Sequence, residues 1–243
     1  MTDKDDVVFG RVRDLVLAGE YLDELPGVPN TRGAPGQSSK PDELPERWRR
    51  IYWRGSPEHR AAKDRGEVEA LPPLSPASPQ TIADAEGVVG WPLPPLLRRM
   101  YLELGDGGFG PGYGLLPLST PAPGHRRETI ADLWQAAHRT PGHHPWSTFP
   151  EPLLPICHWG CGIYSFVDCS SSDAQMWAVD PNGMPRDVNV VFHQDKSLPD
   201  WLDRWVDGEL YQTTSIEDER TMQWRGATDD EIKAMLPDDS EQA

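Results

Sequence analysis

Apolar positions along the chain recur first with helical spacing and later with strand spacing. Val8, Val12, Leu15, Val16, Tyr21 and Leu22 predict a helix over 6–25. Ser78 followed by Pro79 is a helix start, with Ser as N-cap and Pro in the first turn, and Ile82, Ala85 and Val89 continue it to Gly90. The strongest stripe is Leu93, Leu96, Leu97, Met100, Tyr101 and Leu104, with Arg98, Arg99 and Glu103 outward and Gly105 placed to close the helix. Residues 115–118 read as a short buried strand, and Ile130, Leu133, Trp134 and Ala137 as a helix over 129–139. From 153 the pattern changes. Segments 153–159 and 163–168 flank Gly160-Cys161-Gly162 as a hairpin, 175–179 and 188–193 predict two more strands, and Asp180-Pro181-Asn182-Gly183 is a turn. Ser197 then caps a helix carrying Leu198, Trp201, Leu202, Trp205 and Val206, which Gly208 ends. Helices, then hairpin-joined strands, then a helix predict an α+β domain with an antiparallel-rich sheet flanked by helices.

The ends differ from this middle. Segment 26–45 holds five Pro and three Gly and reads as a linker. Segment 45–66 is a basic island, with seven Lys or Arg against three acids, and Trp48, Ile51 and Tyr52 stand at i, i+3, i+4. Basic residues among aromatics can bind single-stranded nucleic acid by stacking. The favoured reading is an amphipathic helix whose aromatic stripe packs on the domain while its basic face meets the acidic body. Residues 213–243 form an acidic tail, in which Thr228 and Glu231 have capping-box spacing ahead of Ile232, Met235 and Leu236. The expected organisation is an extension over 1–70, a domain over 71–212 and a tail over 213–243.

Composition narrows the function. The 243 residues carry 23 Lys and Arg against 39 Asp and Glu, a net charge of −16. Such a chain is a poor partner for phosphate backbones and anionic membranes, and a good one for a basic protein. Ten Trp, six Tyr and five Phe argue for a packed core despite 48 Gly and Pro. The polar, acidic start lacks the pattern of a secretory signal, no apolar run approaches a membrane span, and three cysteines fit reduced thiols, so a cytoplasmic location is expected.

Specific chemistry finds little support. Residues 105–110 match G-x-G-x-x-G, but a helix precedes them and a strand is expected after, the reverse of a phosphate cradle. Cys157, His158 and Cys161, with His143, His144 or His193, make at most one half of a zinc site. Cys161 or Cys169 with His158 or His193 could form a nucleophile pair, yet no local signature surrounds them. No cofactor or metal is expected; an unrecognised metal-dependent or cysteine hydrolase stands as a third alternative.

Gly90-Trp91-Pro92-Leu93-Pro94, the helix with Leu97 and Tyr101, the Asp106-Gly107-Gly108 loop and Leu115-Leu116-Pro117-Leu118 resemble the SUKH superfamily of cell-wall assembly regulators and bacterial toxin-immunity proteins. Leu154-Pro155-Ile156, Trp159-Gly160-Cys161-Gly162 and Asp168 resemble its second block, so the likeness spans about 74–212. The resemblance implies a non-enzymatic binding fold, with no catalytic residues to carry over and with Trp159 and Asp168 lining a cleft beside the sheet. Asp106, Tyr113, Asp173 and Trp177, at loop and strand ends, complete the expected partner-binding set. The leading expectation is a cytoplasmic immunity protein that blocks a basic toxin domain stoichiometrically; the alternative is a regulatory scaffold.

Overall fold

A computed structural model describes residues 2–28, 50–118, 128–139, 150–182, 191–212 and 214–235. Helix α1 is Asp3–Ala18, opened by a reciprocal capping box between Thr2 and Asp5 and closed by Gly19 in the left-handed region. It stops short of residue 25 because Gly19 is where another segment crosses. A Cβ there would lie 2.9 Å from the Leu71 nitrogen, whose N–H donates to the Gly19 carbonyl.

Strands β1 (Glu24–Pro26) and β2 (Ile51–Trp53) pair antiparallel, and helix α2 (Pro57–Asp64) follows, capped by Ser56. The single helix expected over 45–66 is therefore corrected to a strand and a short helix. Its aromatic spacing was compatible with a helix, but Ile51, Tyr52 and Trp53 alternate exposed, buried, exposed, the signature of a strand. Trp48 lies outside the described residues.

Helices α3 (Pro79–Val89) and α4 (Pro95–Glu103) form as the sequence predicts, with Ser78 capping the first and Leu96, Leu97, Met100 and Tyr101 buried on the second. Gly105 does not end α4 through left-handed geometry; Leu104 is the cap, and Gly105 is needed because a Cβ would meet Leu74 at 2.8 Å. Gly107 has φ 75° and lies so close to the Leu115 carbonyl (2.6 Å from a Cβ) that no side chain fits. Residues 115–118 make one bridge, Leu115 to Cys157, rather than a strand. Tyr101 Oη ties this turn down by donating to the Leu116 carbonyl at 2.6 Å.

After α5 (Ile130–Arg139) come β3 (Leu153–Gly160), β4 (Ile163–Asp168), β5 (Gln175–Val179) and β6 (Phe192–Ser197), an antiparallel sheet in that order. The strand expected over 188–193 runs later, to Ser197; residues 183–190 lie outside the described set. Helix α6 (Leu198–Asp207) has the expected Ser197 cap and buries Leu198, Trp201, Leu202 and Trp205. A hairpin of β7 (Ser215–Asp218) and β8 (Gln223–Gly226) precedes α7 (Asp229–Met235), whose Thr228–Glu231 box forms as predicted.

One core joins α1 to the middle of the chain. Val8, Phe9, Val12 and Tyr21 share it with α3, α4, the sheet and α6. Helix α1 packs on α6, and Arg11 bridges Asp203 and Asp207. A buried polar knot completes the join. Asp23 accepts from Trp205 Nε1 at 2.7 Å and from the Gly112 N–H at 2.8 Å, with Arg54 at 3.7 Å. Arg54 donates to the Trp205 and Val206 carbonyls at the α6 C-terminus and lies 4.6 Å over the Trp205 ring. Burial pushes the Asp23 carboxyl up, against those hydrogen bonds, and pushes Arg54 down.

Candidate protein-binding face

Strand pairing decides which side chains meet. Phe166 pairs with Trp177 and Trp177 with His193, so these three share one face of the sheet. The Trp177 and His193 rings meet edge-on at 5.2 Å. Along the adjoining turn, Asp173 accepts from Ser171 Oγ at 2.5 Å and from Gln175 Nε2. These two hydrogen bonds hold the exposed Asp173 carboxyl below its usual range. Gln175 thereby turns its carbonyl oxygen to His193 Nε2, 2.7 Å away. A carbonyl only accepts, so Nε2 donates here, and Nδ1 lies 3.1 Å from the Asp195 nitrogen. The Asp195 carboxylate also lies 2.8 Å from Nδ1. Asp168, ending β4, is occupied by the Ser170 N–H and hydroxyl at 2.8 and 2.6 Å.

The result is a surface of Asp168, Asp173, Gln175, Trp177, His193 and Asp195. Asp173, through Gln175, and Asp195 adjoin His193, and Asp168 stands two residues beyond Phe166 on the same face. The Trp177 indole N–H is shielded and has no acceptor among the described residues, an unsatisfied donor of the kind that marks a special site.

Of the six expected residues, the structure brings Asp168, Asp173 and Trp177 together. Tyr113 lies at the other end of the sheet, about 17 Å of strand away; it is 54% exposed, rests 5.7 Å from His158, and His158 stacks on Tyr164. Trp159 faces the opposite side, where its Nε1 donates to Ser165 Oγ at 2.9 Å and its ring meets Trp201 edge-on. Asp106 is a clasp: its carboxylate accepts the Leu118 N–H at 2.8 Å while its own N–H binds the Ser75 carbonyl. Sequence reasoning missed Gln175 and Asp195 and named His193 only for metal or nucleophile roles. The shifted β6 register hid them.

Two of the three cysteines are held as thiols. Cys157 is fully buried with its Sγ 3.2 Å from the Pro111 carbonyl, and burial drives its thiol well above the usual range. Burial also pushes Cys169 up to about 12, so neither is a thiolate at neutral pH. Cys161 stands exposed at the β3–β4 tip with φ 50°. Among the described residues no three His, Cys, Asp or Glu side chains gather as a metal site, and His143 and His144 fall outside them. No described helix is long and apolar enough to cross a membrane.

Helices α3 and α4, the clasped glycine turn and the four-stranded sheet closed by α6 form the unit that decides the family. The chain belongs to the SMI1/KNR4 family (SUKH-1). The match covers residues 76–204, more than half of the chain, from just before α3 into α6. No curated protein and no solved structure matches it. In this SUKH-1 chain, α1, β1, β2 and α2 precede the matched stretch and β7, β8 and α7 follow it.

Proposed function

We propose that this SUKH-1 chain is a non-enzymatic protein-binding domain that acts in the cytoplasm as an immunity protein, neutralising a basic toxin domain by stoichiometric occupation. The supporting observation is the Asp168–Asp173–Asp195 rim around Trp177 and His193, on a chain of net charge −16. Carboxylates at such a rim steer a basic partner inward, and the rings supply the desolvated anchor. The test is a partner recovered with the tagged protein, toxic when expressed alone and harmless when co-expressed. With that partner in hand, Asp173→Lys with Asp195→Lys should slow association by about tenfold or more at low salt, and added salt should narrow the gap. A capture rate indifferent to both charge reversal and salt overturns the reading.

A regulatory scaffold is the second reading, favoured by the elements flanking residues 76–204. Deleting residues 1–70 cannot test it, since Val8, Phe9 and Val12 belong to the core. Surface changes that spare the fold can: loss of several endogenous partners, with no toxin found, would favour the scaffold.

A further inference from the structure

We propose that the outer edge of β2 takes up an extended acidic peptide segment of a partner protein as an added strand. On its inner side β2 pairs with β1, and β1 is covered in turn: Gly27 bridges Val68, and Glu69 donates to the Pro26 carbonyl. Among the described residues β2 has no neighbour on its other side. The register shows which groups are left over. Arg54 N–H donates to the Asp23 carbonyl and Gly27 N–H to the Arg50 carbonyl, so 50, 52 and 54 bond inward. The N–H groups of Ile51 and Trp53 therefore point out along the edge.

The side chains repeat the division. Leu25 and Tyr52 are buried beneath the pair, while Ile51 is 49% and Trp53 62% exposed on the opposite face, beside Val28 at 40%. Exposed apolar residues on an open edge are what proteins ordinarily avoid, by Pro, Lys or a covering element. Arg50 adds charge. It is exposed, its guanidinium lies 5.4 Å over the Tyr52 ring, and among the described residues it pairs with no carboxylate. Glu67, which feels the Arg50 charge, is hydrogen-bonded to Arg65 instead.

These features select the occupant. A strand on this edge alternates its side chains, one set beside Ile51 and Trp53, the other beside Arg50. Alternating apolar and acidic residues fit both. Main-chain hydrogen bonds supply affinity and the alternation supplies choice, as in other strand additions. The apolar face is too small for a folded partner needing about 1,000 Å² of contact. A second copy would bring the basic residues around this edge, Arg50 among them, against their own kind. The surface lies outside residues 76–204 and away from Trp177, so its failure leaves the toxin-binding reading standing, and the reverse.

The test uses the full-length ¹⁵N-labelled protein titrated with three peptides: Ac-Val-Glu-Val-Glu-Val-NH₂, its Lys counterpart, and Ac-Val-Glu-Pro-Glu-Val-NH₂. The Glu peptide should saturate with shifts centred on the Ile51 and Trp53 amides. The Lys peptide and the Pro peptide, which lacks a pairing N–H, should bind at least tenfold more weakly. Trp53→Ala should weaken the Glu peptide by a similar factor, and Arg50→Glu should invert the order of the Glu and Lys peptides. No saturation, equal binding of all three, or shifts centred elsewhere would overturn the proposal.

Discussion

The two segments that flank the SUKH-1 stretch are held by opposite means. The N-terminal one enters the core: Val8, Phe9, Val12, Tyr21 and Leu25 are buried, and the Arg54 side chain beside Asp23 is only 7% exposed. The C-terminal one, 214–235, buries just Ser215 and Ile232, and apart from the buried bonds of Ser215 to Asp180 it relies on pairs near the surface. Lys196 and Arg204 share Asp229, Arg225 grips Glu231 with both ends of its guanidinium, and Asp180 receives Thr214 and Ser215. The Arg225 side chain is 38% exposed. A flank that adds apolar surface becomes part of one cooperative unit. A flank fastened mainly by solvated charge remains a strap whose opening costs far less than unfolding.

The sharpest way to break this comparison is Arg54→Met. It strands Asp23 in the knot and should destabilise the whole protein by about 3 kcal/mol, read as one displaced urea transition. An early, separate transition confined to residues 2–28 would show that the N-terminal segment is a strap after all. Next is Gly226→Ala. The new Cβ would sit 2.4 Å from the Phe192 ring, so 214–235 should lift from β6. Hydrogen exchange should accelerate there by an order of magnitude or more, while α1 and α6 keep their protection. The smallest effect is acid loosening of the strap. Hydrogen bonds from Arg225, then Thr228, depress Glu231 to about 2, below the roughly 4.3 of an unfolded chain. A depressed carboxylate stabilises above its unfolded value and loses that contribution as pH falls through its folded one. The α7 amides should therefore lose protection between about pH 4.3 and 2, and Glu231→Gln should remove that step.

What could be read from the sequence was what neighbouring residues decide. Ser78-Pro79, Ser197 and the Thr228–Glu231 box placed helix starts correctly because a cap bonds a backbone group three residues on. The α4 and α6 stripes were legible because each buries one continuous face. Strand β2 was not, since its partner lies beyond the Pro- and Gly-rich segment and its aromatic spacing fits either period. The candidate face was half legible. Asp168, Asp173 and Trp177 share a turn and its strand, but the register shift between Pro155 and Cys157 in β3 sends Trp159 to the other side. Asp106 carries no local sign that its carboxylate is already taken by Leu118.

The docking of α1 on α6 has a consequence for synthesis. Helix α1 meets α4 early, but its contact with Leu198–Asp207 forms only when that helix has emerged, nearly two hundred residues after α1. Until then the side of α1 that faces α6 is uncovered, with α4 holding the helix through Arg99 on Phe9 and Asp6, and Asp23 and Arg54 wait for Trp205. The contact between α1 and α6 thus closes late. A chain broken off before α6 leaves the apolar stripe of α1 half covered, the kind of exposed surface that chaperones bind and that aggregation exploits.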